Sequence, residues 1–234
     1  MTNLLLTSRL DAVRGQILAA CQAANRPDDA VTLLAVSKTK PLTDLVTAYQ
    51  AGQRHFAENY AQEAVEKCQQ APFSDAIWHF IGPLQSNKTR AIAEHYDWVH
   101  TIDRLKIAQR LSAQRPADLP PLNVLIQVNI SADPAKAGVK FDQVETLAEQ
   151  INELPQLVFR GLMAIPAADL AESTLRAQYQ QLKTLQNTLI SRFPSCTEVS
   201  IGMSNDFAIA IAAGATMVRI GSDIFGRREA RATT

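Results

Sequence analysis

The sequence predicts an α/β protein built as one (β/α)8 TIM barrel, and three observations carry that prediction. Its 234 residues suit one such barrel and are awkward for two independent domains. Eight short apolar runs alternate with stretches of helical periodicity, with no low-complexity linker between them. No GxGxxG turn follows the first run, which weakens the alternative of an open, doubly wound sheet. Right-handed crossovers then make every strand parallel and place every helix outside.

An extra N-terminal helix over about residues 3–25 shares Leu10, Val13, Ile17, Leu18 and Cys21 on one face, and Arg26-Pro27 ends it. Thr32 to Lys38 reads as the first buried strand. Pro41 breaks it, and Leu45, Val46 and Tyr49 begin a helix that Gly52 closes. The second unit is Arg54 to Ala57 with a helix from Tyr60 to about Gln70, and the third is Ile77 to Ile81 with a helix over Asn87 to His95. The fourth is Trp98 to Ile102, followed by a helix capped by Asp103 and anchored by Leu105, Ile107, Ala108 and Leu111. Asn123 to Ile130 is the clearest strand, and its helix opens at Asp142 with Glu145 at capping-box spacing. The sixth strand is Leu157 to Ile165, with a long amphipathic helix over Glu172 to Phe193. Thr197 to Ile201 is the seventh, with a helix from Ser204 ending before Gly214. Thr216 to Ile220 is the eighth, with a helical turn at Ser222 to Phe225. Residues 1–234 are thus expected to form a single domain.

Composition narrows the function classes. Hydrophobic residues make up 47% and charged residues 20%, as in an ordinary folded globule. The 23 basic residues are balanced by 23 acidic ones, which argues against a nucleic-acid protein that relies on a large basic field. Cys21, Cys68 and Cys196 are far apart, with no CxxC pair and no zinc spacing, so free thiols in a reducing compartment are expected. Leu4-Leu5-Leu6 is soon followed by Arg9 and Asp11, so no signal-peptide core is read there, and no apolar run approaches the roughly 20 residues that span a bilayer. A soluble, cytoplasmic protein is expected.

The active face of such a barrel lies at the C-terminal strand ends, and a phosphate site commonly forms from the loops after strands seven and eight. Here those loops read Gly202-Met203-Ser204-Asn205-Asp206 and Gly221-Ser222-Asp223. Each puts a glycine and then a hydroxyl where a helix is expected to begin. That arrangement serves either an ordinary N-cap or a phosphate cradle of backbone N–H groups and serine hydroxyls. Lys38, at the end of strand one, is either a solvated strand-end lysine like Lys40 or an amine freed by desolvation to attack an aldehyde. Arg219 lies inside the apolar eighth strand and needs a partner, either a structural ion pair or a ligand's ring nitrogen. His55, His79, His95 and His100 lack metal-ligand spacing, and the three in or beside strands read as hydrogen-bonded core or rim groups. There is no GxSxG, HExxH or Walker loop, and Lys88 and Arg90 read as a solvated helix surface. Lys136, after strand five, is the only obvious second amine on the face of Lys38.

Several motifs in fixed order are more specific: Leu34-Ala35-Val36-Ser37-Lys38-Thr39-Lys40-Pro41, Phe56-Ala57-Glu58-Asn59-Tyr60, and Trp78 through Lys88 with its Gly82-Pro83-Leu84-Gln85-Ser86. Arg160 through Pro166, Gly202 through Asp206 and Val218-Arg219-Ile220-Gly221-Ser222 complete the series. With these motifs the chain closely resembles the YggS family of pyridoxal-phosphate homeostasis proteins (PROSC or PLPBP in animals), the bacterial branch in particular. The resemblance runs from the first helix to Gly226. It implies a barrel related to the N-terminal domain of alanine racemases, with pyridoxal 5′-phosphate held as a Schiff base on Lys38. By motif, Ser204, Gly221 and Ser222 match the phosphate cradle, Arg219 matches the arginine facing the pyridine nitrogen, and Asn59 falls beside the cofactor. Ser204-Asn205-Asp206-Phe207 and serine at position 222 are minor variants that keep the hydroxyls.

An arginine stays protonated and leaves the ring nitrogen largely unprotonated, so the ring is a poorer electron sink than one paired with an aspartate. Racemases add a second base from a β domain. This sequence ends eight residues after Gly226, and no such domain is expected. The resemblance therefore implies storage and delivery of the cofactor to apo-enzymes by a monomer, with an influence on amino-acid and keto-acid pools. A racemase-like enzyme, and a barrel enzyme acting on some other phosphorylated metabolite, are the alternatives. Whether Lys136 holds a second cofactor molecule is left open.

Overall fold

The computed structural model describes residues 3–133 and 135–226, so residues 1–2, 134 and 227–234 of the expected domain lie outside the described residues. In chain order the elements are α1 (Asn3–Ala23), β1 (Thr32–Val36), α2 (Leu42–Gln50), β2 (His55–Glu58), α3 (Ala61–Gln70) and β3 (Ile77–Phe80). They continue with α4 (Thr89–His95), β4 (Trp98–Ile102), α5 (Leu105–Gln114), β5 (Leu122–Val128), α6 (Val144–Asn152) and β6 (Leu157–Ala164). The last are α7 (Glu172–Ile190), β7 (Glu198–Ser200), α8 (Phe207–Ala212), β8 (Met217–Ile220) and α9 (Ser222–Phe225). The eight strands close in sequence order into one barrel. β8 returns to β1 in parallel register from Thr32–Met217 to Ala35–Ile220.

Strand alternation sorts the residues between two cores. Leu34, Val36, Ala57, Ile81 and Met217 form a small cluster of their own within the barrel. Their alternating neighbours Ala35, Phe56, Val218 and Ile220 belong to the larger core between strands and helices. Outside, α1 lies against α2, α8 and α9. It buries Leu6, Leu10, Val13, Ile17 and Cys21, whereas Leu18, expected on that face, is exposed.

The expected element boundaries shift where a side chain takes a backbone group. β1 stops at Val36, two residues early, because the Ser37 carbonyl accepts from Lys67 and from the Lys40 N–H while Thr39 turns to φ +65°. Asp103 does not cap α5: its carboxylate accepts from Arg104, which stands at the cap position itself. The Asp142–Glu145 capping box does not form either. A 3-10 turn over Phe141–Gln143 precedes α6, Gln143 Oε1 accepts the Lys140 N–H at 3.3 Å, and Glu145 pairs with Arg192 instead. α8 begins at Phe207 rather than Ser204, because Asp206 accepts the Met203 N–H at 2.6 Å and holds residues 204–206 in a turn.

Candidate functional site

The C-terminal mouth of the barrel opens into a cavity of about 830 Å³. Its wall brings together all six residues singled out above: Lys38, Asn59, Ser204, Arg219, Gly221 and Ser222. Lys136 is there too, its Nζ donating to the Pro166 carbonyl at 2.8 Å. Lys40 also lines the cavity, so Lys136 is not the one further amine at the mouth.

Lys38 is half-buried in the turn after β1, and that turn is clamped from behind. Lys67 of α3 donates to the Ser37 carbonyl at 2.6 Å and to Glu58 Oε1 and Glu63 Oε1, each at 2.7 Å. Glu63 also accepts the Thr39 N–H at 2.6 Å, and the Ser37 hydroxyl donates to Glu58 at 2.6 Å. The backbone on both sides of Lys38 is therefore held by one charge cluster, buried at Glu58 and Lys67 and partly exposed at Glu63. Burial pushes the Glu58 carboxyl above its usual range, against the pull of Lys67 and the Ser37 hydroxyl. Motif reading did not assign a role to Glu58 or Lys67. The signal available was a lysine and a glutamate four residues apart on a helix, a pattern usually solvated.

Across the cavity, Ser204 Oγ and Ser222 Oγ lie 3.2 Å apart. Ser204 precedes α8 by three residues and α9 is a single turn, so the pair of hydroxyls, not the ends of long helices, defines this corner. Gly221 packs against β1: a Cβ there would lie 3.0 Å from the Val36 carbonyl oxygen. Asp206, already bonded to Met203, accepts the buried Tyr179 hydroxyl at 2.5 Å, which ties the serine loop to α7. Burial, and then the bond to Asp206, push that phenol well above its ordinary range.

Asn59 presents a buried Oδ1 with no hydrogen-bond partner among the described residues. An orphaned polar atom on a cavity wall is a place for a ligand's complementary group or an ordered water. The Asn59 backbone is pressed against Gly82, where an added Cβ would fall 1.9 Å from the Asn59 carbonyl oxygen.

Arg219 is 4% exposed. It donates to the Ser200 carbonyl at 2.6 Å, to Ser200 Oγ at 2.8 Å and to the Ala164 carbonyl at 2.9 Å. Of its two readings, the structural ion pair is not formed among the described residues, where its direct partners are neutral oxygens. Burial lowers its pKa from the ordinary arginine value, opposed by Tyr179 and Asp206, and a guanidinium stays protonated through such a change. An amine, a guanidinium, two hydroxyls and an unsatisfied amide facing one cavity fit a small phosphorylated carbonyl compound with a further acceptor.

The remaining chemistry is sparse. No group of His, Cys, Asp and Glu suited to a metal occurs among the described residues, and no helix there is long and apolar enough to cross a membrane. The three thiols are unpaired, with burial pushing Cys68 up to about 11 and Cys196 up to about 12, far from an activated nucleophile.

Comparison with known proteins adds to this geometry. Residues 8–229 match the family described as alanine racemase, N-terminal domain. The chain is 51% identical over 230 residues to the pyridoxal phosphate homeostasis protein of Escherichia coli (strain K12), covering 96% of this chain and 97% of that one. It is 51% identical over 228 residues to the protein of that name from Vibrio alginolyticus, covering 96% and 98%. Among solved structures, PipY of Synechococcus elongatus with PLP bound superposes with a TM-score of 0.83 at 36% identity, covering 94% of this chain and 100% of that one.

Proposed function

The chain belongs to the alanine racemase N-terminal domain family, among its pyridoxal phosphate homeostasis proteins, and on that premise we propose that it binds pyridoxal 5′-phosphate in the mouth cavity and carries it rather than turning substrate over. The observation that carries this reading is the convergence of Lys38, Arg219 and the Ser204–Ser222 hydroxyl pair on one wall. Pyridoxal phosphate supplies an aldehyde that condenses with amines and a ring that withdraws electrons.

Lys38 would supply the amine that holds the cofactor's aldehyde as a Schiff base. Ser204, Ser222 and the Gly221 backbone would hold the phosphate, and Asn59, with its unpaired amide oxygen, would stand beside the ring. Arg219 would donate to the ring nitrogen. Arginine does not give up its proton, so it leaves that nitrogen a poor electron sink, and carbanion chemistry is discouraged. That is the physical case for a carrier. Residues 1–234 then act as one cofactor-binding unit, a cytoplasmic monomer that limits free aldehyde, hands the cofactor to apo-enzymes and so influences amino-acid and keto-acid balance.

The test mixes cofactor-loaded protein with a pyridoxal phosphate-dependent apo-enzyme in the presence of a trap for free aldehyde, and assays L-alanine and L-serine for racemisation in parallel. Recovery of apo-enzyme activity without racemisation is the expected result. Racemisation that is lost in Lys38→Ala would replace the carrier with an enzyme.

A further inference from the structure

We propose that His100, His79 and His55 are positioning residues for Arg219, acting through Ser200 as one hydrogen-bonded chain of fixed direction. This inference rests on the proposed placement of the cofactor ring against Arg219.

The chain crosses the barrel from wall to wall. Arg219 of β8 donates to Ser200 Oγ at the end of β7 at 2.8 Å, and Ser200 Oγ lies 3.0 Å from His100 Nδ1 on β4, across the lumen. His100 Nε2 lies 2.9 Å from His79 Nδ1 on β3, and His79 Nε2 lies 3.0 Å from His55 Nδ1 on β2. His79, His100 and Ser200 are buried, and none of them lines the mouth cavity. His55 is half-buried and lines a second cavity of about 440 Å³ with Thr32, Gln53 and Arg54.

One donor sets the direction of every link. A guanidinium only donates, so Ser200 Oγ accepts from Arg219. The serine hydroxyl has one hydrogen, and His100 Nδ1 is the other partner of that oxygen. His100 therefore accepts at Nδ1 and carries its proton on Nε2, which it donates to His79. His79 repeats the pattern toward His55. Running the links the other way would make Ser200 a double acceptor and strand its buried hydroxyl hydrogen. A doubly protonated imidazole would place two hydrogens in one link, so the geometry fits three neutral rings. Burial, the leading influence on each of the three, also disfavours the charged forms.

The chain acts on Arg219 through the serine oxygen. A hydroxyl that donates its own hydrogen into a chain becomes a better acceptor. The histidines thereby strengthen Ser200 as a neutral anchor for a guanidinium that keeps its full charge toward the ligand. A carboxylate anchor would cancel that charge.

The first test is histidine-labelled ¹⁵N spectroscopy of the protein without cofactor at about pH 7.5, where a free imidazole is largely neutral and tautomers exchange. His55, His79 and His100 should all be neutral with the proton on Nε2. His95, whose Nδ1 faces the Ala91 carbonyl at 2.9 Å, should show the opposite tautomer and serves as the internal reference. A proton on Nδ1 of His79 or His100, or a charged ring at either, overturns the chain.

The second test compares His79→Leu with the parent for binding of pyridoxal phosphate and of its analogue with C–H in place of the ring nitrogen. About a tenfold loss of affinity is expected for pyridoxal phosphate, as for one weakened hydrogen bond, and none for the analogue. His79→Gln, which keeps a donor and an acceptor, should restore most of the loss. It also serves if the leucine variant does not fold. Equal losses for both ligands, or none for either, overturn the positioning role. If the parent binds neither ligand, the cofactor reading fails and this role falls with it, whatever the spectra show of the chain.

Discussion

Replacing Lys67 by methionine keeps most of the side chain's apolar stem and removes the charge that holds the Lys38 turn together. The ammonium has three hydrogens, and the Ser37 carbonyl, Glu58 and Glu63 use all of them at 2.6–2.7 Å. The Glu58 side chain is 0% exposed and that of Lys67 9%, so this pair counts as buried. Removing one partner of such a pair costs about 3–5 kcal/mol, since the other charge is left without compensation. Glu63 is 28% exposed and screened by water, and its loss adds at most about 1 kcal/mol. For a domain of this size the change lowers Tm by roughly 6–24 °C.

The penalty should also depend on pH, with a sign fixed by Glu58. Burial already raises this carboxyl above the ordinary 4.5, and loss of the Lys67 charge raises it further. The folded variant then holds a proton that the unfolded chain releases. Stability relative to the parent is present below the ordinary value and is lost as pH rises through the folded one. Urea unfolding followed by circular dichroism at pH 5 and pH 8 should give a larger penalty at pH 8 than at pH 5. Adding Glu58→Gln to Lys67→Met should recover part of it. A penalty below about 1 kcal/mol at pH 8, or one equal at both pH values, would refute the reasoning.

Two other substitutions probe the walls of the cavity. Gly82→Ala puts a Cβ 1.9 Å from the Asn59 carbonyl oxygen, so backbone must move. Overpacking of this kind costs about 1–3 kcal/mol or more, and thermal unfolding should show it together with weaker pyridoxal phosphate binding. Tyr179→Phe removes the 2.5 Å bond to Asp206 that ties the serine loop to α7. A titration with pyridoxal phosphate should show about a tenfold loss of affinity, and a titration with non-phosphorylated pyridoxal should not.

The barrel was legible because its evidence is local. Runs such as Val124–Val128 and Met217–Ile220 are apolar apart from Gln127 and Arg219, as strands covered on both sides mostly are, and they recur between helical periods. Reading failed where side chains took other partners, some of them local and some tertiary. Asp103 has the right chemistry for a cap, but Arg104 takes its carboxylate. Ser204 follows a glycine as a cap would, yet Asp206 bends the next residues into a turn. The cavity residues were recovered through motif order; spacing alone left Lys38 and Arg219 with two readings each. The clamp behind Lys38 was missed because Lys67 and Glu58 meet only when α3 packs behind β2. The histidine chain was half visible. His55, His79 and His100 stood in or beside strands, but only barrel closure brings Ser200 within 3.0 Å of His100.

The most direct measurement is the absorption spectrum of the purified protein with pyridoxal phosphate, followed by borohydride reduction and peptide mapping. A near-visible band should appear, be bleached by borohydride, leave the reduced adduct on Lys38 and be missing in Lys38→Ala. Lys40 and Lys136 share the cavity and are the informative controls. An adduct on either of them in place of Lys38, or no band at all, would contradict the assignment of this cavity as a pyridoxal phosphate site built on Lys38.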